Sequence, residues 1–298
     1  MVTGWNSGKT VHEFWGWLPL ITLPLAAVIL ASSLPHWAFM WSLSLAIYLG
    51  LKWVTWWRVR SKAVHSKRRS LAYLLAWPGM DADAFLNPSP KVSAPAVEKW
   101  LWAFIETILG IFLLWVVART VPKRDPLIRG WVGMVGLILT LHFGLFQIVA
   151  LVWQRLGVAA EPIMKAPLRA TSLAEFWGKR WNLGFRQLAH ELIFRPTHRT
   201  LGAGLAGFSV FLVSGLIHDL VISLPPRGGY GLPTLYFLIQ GTGVMVERSQ
   251  FGKSLGLTQG IRGWLFMAAC LVAPVFCLFH PWFVMRVVVP FMEAIRAL

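Results

Sequence analysis

The sequence predicts an all-α, polytopic integral membrane protein, with about eight transmembrane helices and one or two re-entrant or interfacial helices. Three observations carry that prediction. Only 13% of the 298 residues are charged, against about 25% in a soluble domain. Hydrophobic residues make up 56% of the chain and the mean hydropathy is +0.61. The apolar residues also fall in long runs, several of them near the ~20 residues that cross a bilayer core. These runs lack the every-second-residue alternation of a transmembrane β-barrel.

The formal charge is +16 and the pI about 10.8. In a soluble chain that balance would point to nucleic acid. Here Lys and Arg stand in short loops between apolar runs, as the positive-inside rule and anionic headgroups require, so no nucleic-acid partner is expected. One or two clusters leave room for a second role, an electrostatic mouth for an anionic substrate. Cys270 and Cys277 share a helix face two turns apart, too far for a disulfide. No zinc or redox motif accompanies them, and they read as apolar filling.

Residues 1–13 are a short polar start, and 15–34 form a first span that stays as a helix, bent at Pro19 and Pro24. A second span covers 36–57, with Trp37, Trp41, Trp53, Trp56 and Trp57 near its two ends, the interfacial positions. The basic loop 58–69 belongs in the cytoplasm. Residues 71–77 are too short to span, and 78–85 form a turn with two acids; together they read as re-entrant or interfacial. Asp81 and Asp83 suit a helix cap or solvated loop better than a metal pair, and no metal is expected. Spans follow at 100–118, with Glu106 at a cavity or interface, and at 131–153, with His142 and Gln147.

Ser172 followed by Glu175 forms a capping box. The helix it opens is too charged to span and should end at Arg195-Pro196. Residues 201–224 make the next span, rich in small residues at its start and stopped by Pro225 and Pro226. Shorter apolar segments at 232–246, 264–279 and 282–295 complete a single domain over 1–298. His190, His198 and His280 read as interfacial. No internal repeat supports an inverted-repeat transporter.

Two stretches carry chemistry. The apolar segment FSVFLVSGLIHDL (208–220) holds His218 and Asp219, and an ionisable residue inside a span is a functional-site hypothesis. Ser214 and Gly215 lie one turn back; Gly215 clears space beside the imidazole and Ser214 can hydrogen-bond to it. His218 is either a general base or a structural histidine bonded to a neighbouring helix. The second stretch is SLAEFWGKRWNLGFR (172–186). Helical spacing puts Glu175, Gly178, Asn182 and Arg186 on one stripe, with Trp177 and Trp181 on the next. Asn182 is either an oxyanion-type donor or part of an interfacial amphipathic helix whose tryptophans are anchors.

The pairing of EFWGKRWN with a downstream LVSGLIHDL resembles the membrane-bound O-acyltransferase superfamily, nearest its wax-synthase-like branch of long-chain-alcohol O-acyltransferases. Ser172, Leu173, Phe176, Trp177, Gly178, Arg180, Trp181 and Asn182 match the first motif, with Lys179 where the branch has Arg. Ser214, Gly215, His218 and Asp219 match the second, and WPGMDA (77–82) is similar to an upstream element. The core motifs occupy 172–220.

The resemblance implies single-step transfer of a fatty acyl group from acyl-CoA, as co-substrate and without a further cofactor, to a lipid-like alcohol. His218 would be the base and Asn182 its assistant. Lys179, Arg180 and Arg186 would meet the phosphates of coenzyme A. Trp177, Trp181, Ser214, Gly215 and Asp219 would complete the substrate site. The host membrane would be a bacterial inner membrane or the endoplasmic reticulum. The rival expectation is a transporter in which His218, Glu106 and His142 relay protons.

Overall fold

The structure, a computed structural model, describes residues 7–61, 66–87 and 92–298. Every regular element among them is helical. Helices α1 (Ser7–Ala31) and α2 (His36–Val59) form an antiparallel hairpin. It closes so tightly that a Cβ on Gly50 would sit 2.6 Å from Leu20 Cα. Two short helices follow, α3 (Lys67–Ala76) and α4 (Ala82–Leu86). The basic loop expected at 58–69 lies in part outside the described residues.

A second hairpin pairs α5 (Val97–Thr120) with α6 (Pro126–Arg155). Gly110 faces Thr140, and Gly144 faces Thr107, at distances that leave no room for a side chain. Small residues at such crossings let helices in lipid gain by van der Waals packing what water would otherwise supply.

Helix α7 (residues 173–180) is a turn of α-helix followed by a π-turn, Phe176–Arg180. Beyond it run α8 (Leu183–Ser223), α9 (Leu232–Arg248), α10 (Gln250–Ser254), α11 (Gly260–Leu278) and α12 (residues 281–294). Six helices among the described residues are long and apolar enough to cross a bilayer: α1 from Phe14, α2, α5, α6, α8 and α11. Their outer faces carry exposed Ile29 and Leu30 on α1, Ile108 and Phe112 on α5, and Ile261 and Val272 on α11. This is an integral multi-pass membrane protein.

The sequence expectation of about eight spans also counted 232–246 and 282–295. Here α9 is 17 residues long and buries Tyr236, Phe237, Gln240 and Glu247. Helix α12 buries Val284, Val287, Val288, Val289 and Met292. Both bury one face, and the main core forms where they meet Leu114, Met134 and Ile222 of α5, α6 and α8.

Two boundaries differ from expectation for a local reason. The helix opened by Ser172 does not reach Arg195; it breaks at Asn182, whose φ of 45° and ψ of 58° are left-handed. Asn tolerates that region better than most residues. Pro196 does not stop α8 either. The helix widens into a π-turn at His190–Phe194 just before the proline, whose missing N–H then costs it little. The break comes later, at Gly202 with φ 72° and ψ 172°. It divides a charged outer half, 183–201, from an apolar inner half, 203–223.

The inner half of α8 crosses α9 at Gly215, where an added Cβ would lie 2.8 Å from Thr234 Cα and 3.3 Å from Phe237 Cβ. Backbone cannot yield as a side-chain tip can. The expected effect of Gly215→Ala is a loss of about 1–3 kcal/mol by overpacking, read as a lower melting temperature in detergent. An unchanged melting curve would show that the crossing relaxes freely.

Candidate active site

His218 lies on the inner half of α8, about 24 Å along the helix from the Gly202 break at 1.5 Å per residue. Its Nδ1 is 2.7 Å from the Ser214 carbonyl oxygen, one turn back. A carbonyl only accepts, so Nδ1 carries the proton and Nε2 carries the lone pair. Nε2 meets no hydrogen-bond partner among the described residues. The ring is half-buried and packs on Phe237, with centroids 4.4 Å apart. It is the Ser214 backbone, rather than its hydroxyl, that sets the tautomer.

Phe237 joins the two motifs. Its other neighbour is Trp177, with ring centroids 5.7 Å apart, and Trp177 also meets Phe211 of α8 edge-on at 5.8 Å. The indole N–H of Trp177 points to Gln240 Oε1 at 3.4 Å, and Gln240, fully buried, donates to the Cys270 carbonyl at 2.7 Å. Position 237 had no signal in the sequence beyond an apolar run. Gln240 had one: a lone amide among apolar residues.

Asp219 makes no hydrogen bond to the imidazole among the described residues. Its carboxylate accepts from Ser223 Oγ (2.9 Å), Gly231 N (2.8 Å), Thr234 N (3.1 Å) and the Thr234 hydroxyl. It ties the end of α8 to the start of α9. His280, expected at the interface, is instead fully buried, with Nδ1 capping Phe283 N at 3.1 Å and Nε2 3.2 Å from Ser223 Oγ. Asp219 thus anchors a buried polar network whose members satisfy one another.

The 172–186 stretch is held from both sides. Ser172 Oγ accepts from Glu175 N at 3.1 Å, as the capping box requires, but the Glu175 carboxylate bonds Thr171 N at 2.8 Å, one residue further out. From α9, the buried Glu247 accepts from Leu173 N (2.5 Å) and Ala174 N (3.3 Å). Glu247 was visible in sequence only as an acid ending an apolar helix. The π-turn brings residues five apart together, so Phe176 and Trp181 stack at 5.4 Å, and Trp177 and Trp181 do not share a stripe. The stripe of Glu175, Gly178, Asn182 and Arg186 is likewise absent, because the helix breaks at Asn182. Residues 163–165 brace the break: Leu183 N donates to Ile163 O and Lys165 N to Arg180 O, at 2.9 and 2.8 Å.

The three cations of this stretch separate. Arg180 is engaged in the fold, with Nε and Nη2 on Glu175 Oε1 at 2.8 and 2.7 Å and Nη1 on the Lys165 and Ala166 carbonyls. Lys179 is exposed and meets no partner among the described residues. Arg186 donates to the Gly178 carbonyl at 2.6 Å and keeps its remaining donors outward. Lys179 and Arg186 line a cleft of about 310 Å³ with Lys165, Glu161, Gly79 and Asp81.

The far wall of that cleft is the 77–82 segment. Buried Lys52 of α2 donates to the Gly79 carbonyl at 2.8 Å and lies 3.2 Å from the Tyr73 ring centroid. Tyr48 donates to the Trp77 carbonyl at 3.0 Å. Gly184 then packs so closely that its Cβ would be 3.1 Å from Met80 N. Asp81 caps α4 through Ala84 N at 2.9 Å, as expected for a helix cap.

His218 lines neither this cleft nor the outer one on α8. Asn182 is half-buried with its side chain free of hydrogen-bond partners among the described residues, and no hydrogen bond joins it to His218. His142 sits in a π-turn of α6, beside Phe146 at 5.5 Å and away from His218 contacts.

Residues 160–239, which contain both motifs, match the membrane bound O-acyl transferase family. In this segment the chain is similar to that family. Its similarity extends to probable long-chain-alcohol O-fatty-acyltransferases 1 and 9 of Arabidopsis thaliana. The first is 30% identical over 55% of this chain and 52% of the relative. The other is 32% identical over the same shares, 55% and 52%. An acyl-CoA–sterol O-acyltransferase of the same plant is 26% identical over 61% of this chain and 55% of its own length. The chain spans about half the length of the curated relatives it matches. These similarities do not favour the transporter expectation.

Glu175 provides a pH test of the braced turn. The Thr171 N–H, and after it the Arg180 guanidinium, hold its carboxyl below the usual range against the opposing pull of burial. A depressed folded value stabilises the fold above the unfolded carboxyl value of about 4.3, and that stability is lost as pH falls through the folded value. The melting temperature of the parent should therefore drop more steeply below about pH 4.3 than that of Glu175→Gln. Parallel curves would show that the carboxylate contributes nothing.

Proposed function

We propose that the chain is an integral-membrane, acyl-CoA-dependent O-acyltransferase that moves a fatty acyl group to the hydroxyl of a lipid-like alcohol, forming a wax ester or similar lipid ester. The observation that carries this reading is the His218 imidazole. Its Nδ1–H donates a hydrogen bond to the Ser214 carbonyl, and its Nε2 lone pair meets no partner among the described residues. A base held in one tautomer, away from bulk water, suits removal of a proton from an alcohol.

In this reading Nε2 takes the hydroxyl proton as the alcohol oxygen attacks the thioester carbonyl. The new C–O bond forms, the C–S bond breaks, and the imidazolium returns the proton to the departing thiolate. Ester and free coenzyme A are the products, with no acyl-enzyme and no further cofactor. Asn182, with an unpaired amide at the break between α7 and α8, would steady the carbonyl oxygen as charge develops. Trp177 and Phe237 would shape the wall beside the imidazole, with Trp181, Ser214 and Gly215 supporting that wall. Lys179 and Arg186, joined by Lys165, would receive the phosphates of coenzyme A at the cleft. Arg180 and Asp219 serve this site by position, since their charged groups already hold the turn and the α8–α9 junction.

The same reading takes 1–298 as one catalytic domain. It counts α9 and α12 among about eight membrane elements, and it sets the chain in a bacterial inner membrane or the endoplasmic reticulum.

Labelled acyl-CoA offered with a panel of fatty alcohols and sterols to the purified chain tests the proposal. Ester should form, and His218→Ala should lower turnover by about 10²- to 10⁴-fold. Asn182→Ala should cost on the order of 10²- to 10³-fold. Undiminished turnover in the His218 variant would remove the mechanism. Lys179→Gln combined with Arg186→Gln should raise KM for acyl-CoA severalfold while kcat holds. A fall in kcat at constant KM would place the phosphates elsewhere.

A further inference from the structure

The charged outer half of α8 carries a second basic cleft, separate from the one at Lys179. Arg195 and Arg199 are four residues apart on one helix face, and Glu191 lies in the π-turn just before them. Opposite them stands Arg58, in the last turn of α2, with Nη1 3.5 Å from Glu191 Oε2. These four side chains, with Phe194 and His198, line a cleft of about 460 Å³. Three guanidinium groups thus meet one carboxylate, and that carboxylate is held by Arg58. Arg195 and Arg199 are exposed and meet no hydrogen-bond or ion-pair partner among the described residues.

The cleft lies at a defined depth. Arg58 follows Trp53, Trp56 and Trp57, whose rings pack together at 4.9 and 5.6 Å from Trp53. Tryptophan clusters at helix ends mark the boundary between acyl chains and water. Beyond Gly202 the apolar half of α8 begins. The rings of His190, Phe194 and His198 pack in a row at 5.1 and 5.3 Å, and Phe194 and His198 line the cleft beside the arginines. A planar guanidinium presents paired N–H donors that match phosphate oxygens.

We propose that Arg58, Arg195 and Arg199 form a binding site for a phosphate-bearing anion at headgroup depth. The full chain in neutral detergent is titrated with a fluorescent short-chain phosphatidylglycerol, with unlabelled phosphatidylglycerol, phosphatidylcholine and 3′,5′-ADP as competitors. Each arginine at such a surface is worth about fivefold in affinity, so Arg195→Gln with Arg199→Gln should weaken phosphatidylglycerol binding on the order of 25-fold. Lys123→Gln with Arg124→Gln removes the same charge from another loop and should change it less than twofold. Competition by phosphatidylglycerol alone identifies a lipid headgroup; competition by 3′,5′-ADP as well identifies a soluble phosphate. Unchanged binding in the arginine pair, or equal loss in both pairs, overturns the site. Should the arginine pair fail to fold, the single exchanges Arg195→Gln and Arg199→Gln, each expected to cost about fivefold, decide it in the same way.

Discussion

The architecture depends on α9 being clamped at both ends by carboxylates, Glu247 buried and Asp219 half-buried. At its start, Asp219 of α8 accepts from Gly231 N and from the backbone and hydroxyl of Thr234. At its other end, its own Glu247 accepts from Leu173 N and Ala174 N at the start of α7. Orphan N–H groups at a helix start demand acceptors, and inside a bundle no water supplies them. Each carboxylate meets that demand for one helix, and together they lock three helices in register. One consequence is local: Phe237, between the two clamps, touches His218 on one side and Trp177 on the other.

This strut brings the two motifs, about 35 residues apart in sequence, onto one aromatic ring. Neither contacts the other through a direct hydrogen bond. They are coupled by ring packing, through Phe237 of α9 and directly between Trp177 and Phe211. Packing of this kind leaves little slack, since Gly215 lets α8 and α9 approach to backbone contact. The same economy governs charge. Arg180, Glu175 and Asp219 hold the geometry, whereas Lys179, Arg186 and the His218 Nε2 remain open to a ligand.

Several features were legible in the sequence because they are local. The apolar runs marked a multi-pass helical protein. Ser172 and Glu175 announced a helix start, and Asp81 a cap. The broken stripe at Asn182 was not legible, because helical spacing assumes a continuous helix and a π-turn changes the period from four to five. The helix through Pro196 escaped for the same reason. His280 reads as interfacial beside a proline, and only its partner Ser223, 57 positions away, shows that it is buried.

The sequence by itself determined the solvent, the helical class and which residue types are available for chemistry. Hydropathy, capping and motif spacing act over a few turns, so they are written in consecutive residues. Tertiary structure alone decided which polar groups are already engaged and which stay free. That assignment depends on contacts such as Glu247 with Leu173 and Lys52 with Gly79, made across the bundle between residues 74 and 27 positions apart. In a membrane interior every buried donor and acceptor must find a partner in the protein. The site is therefore composed of the groups that this pairing leaves over.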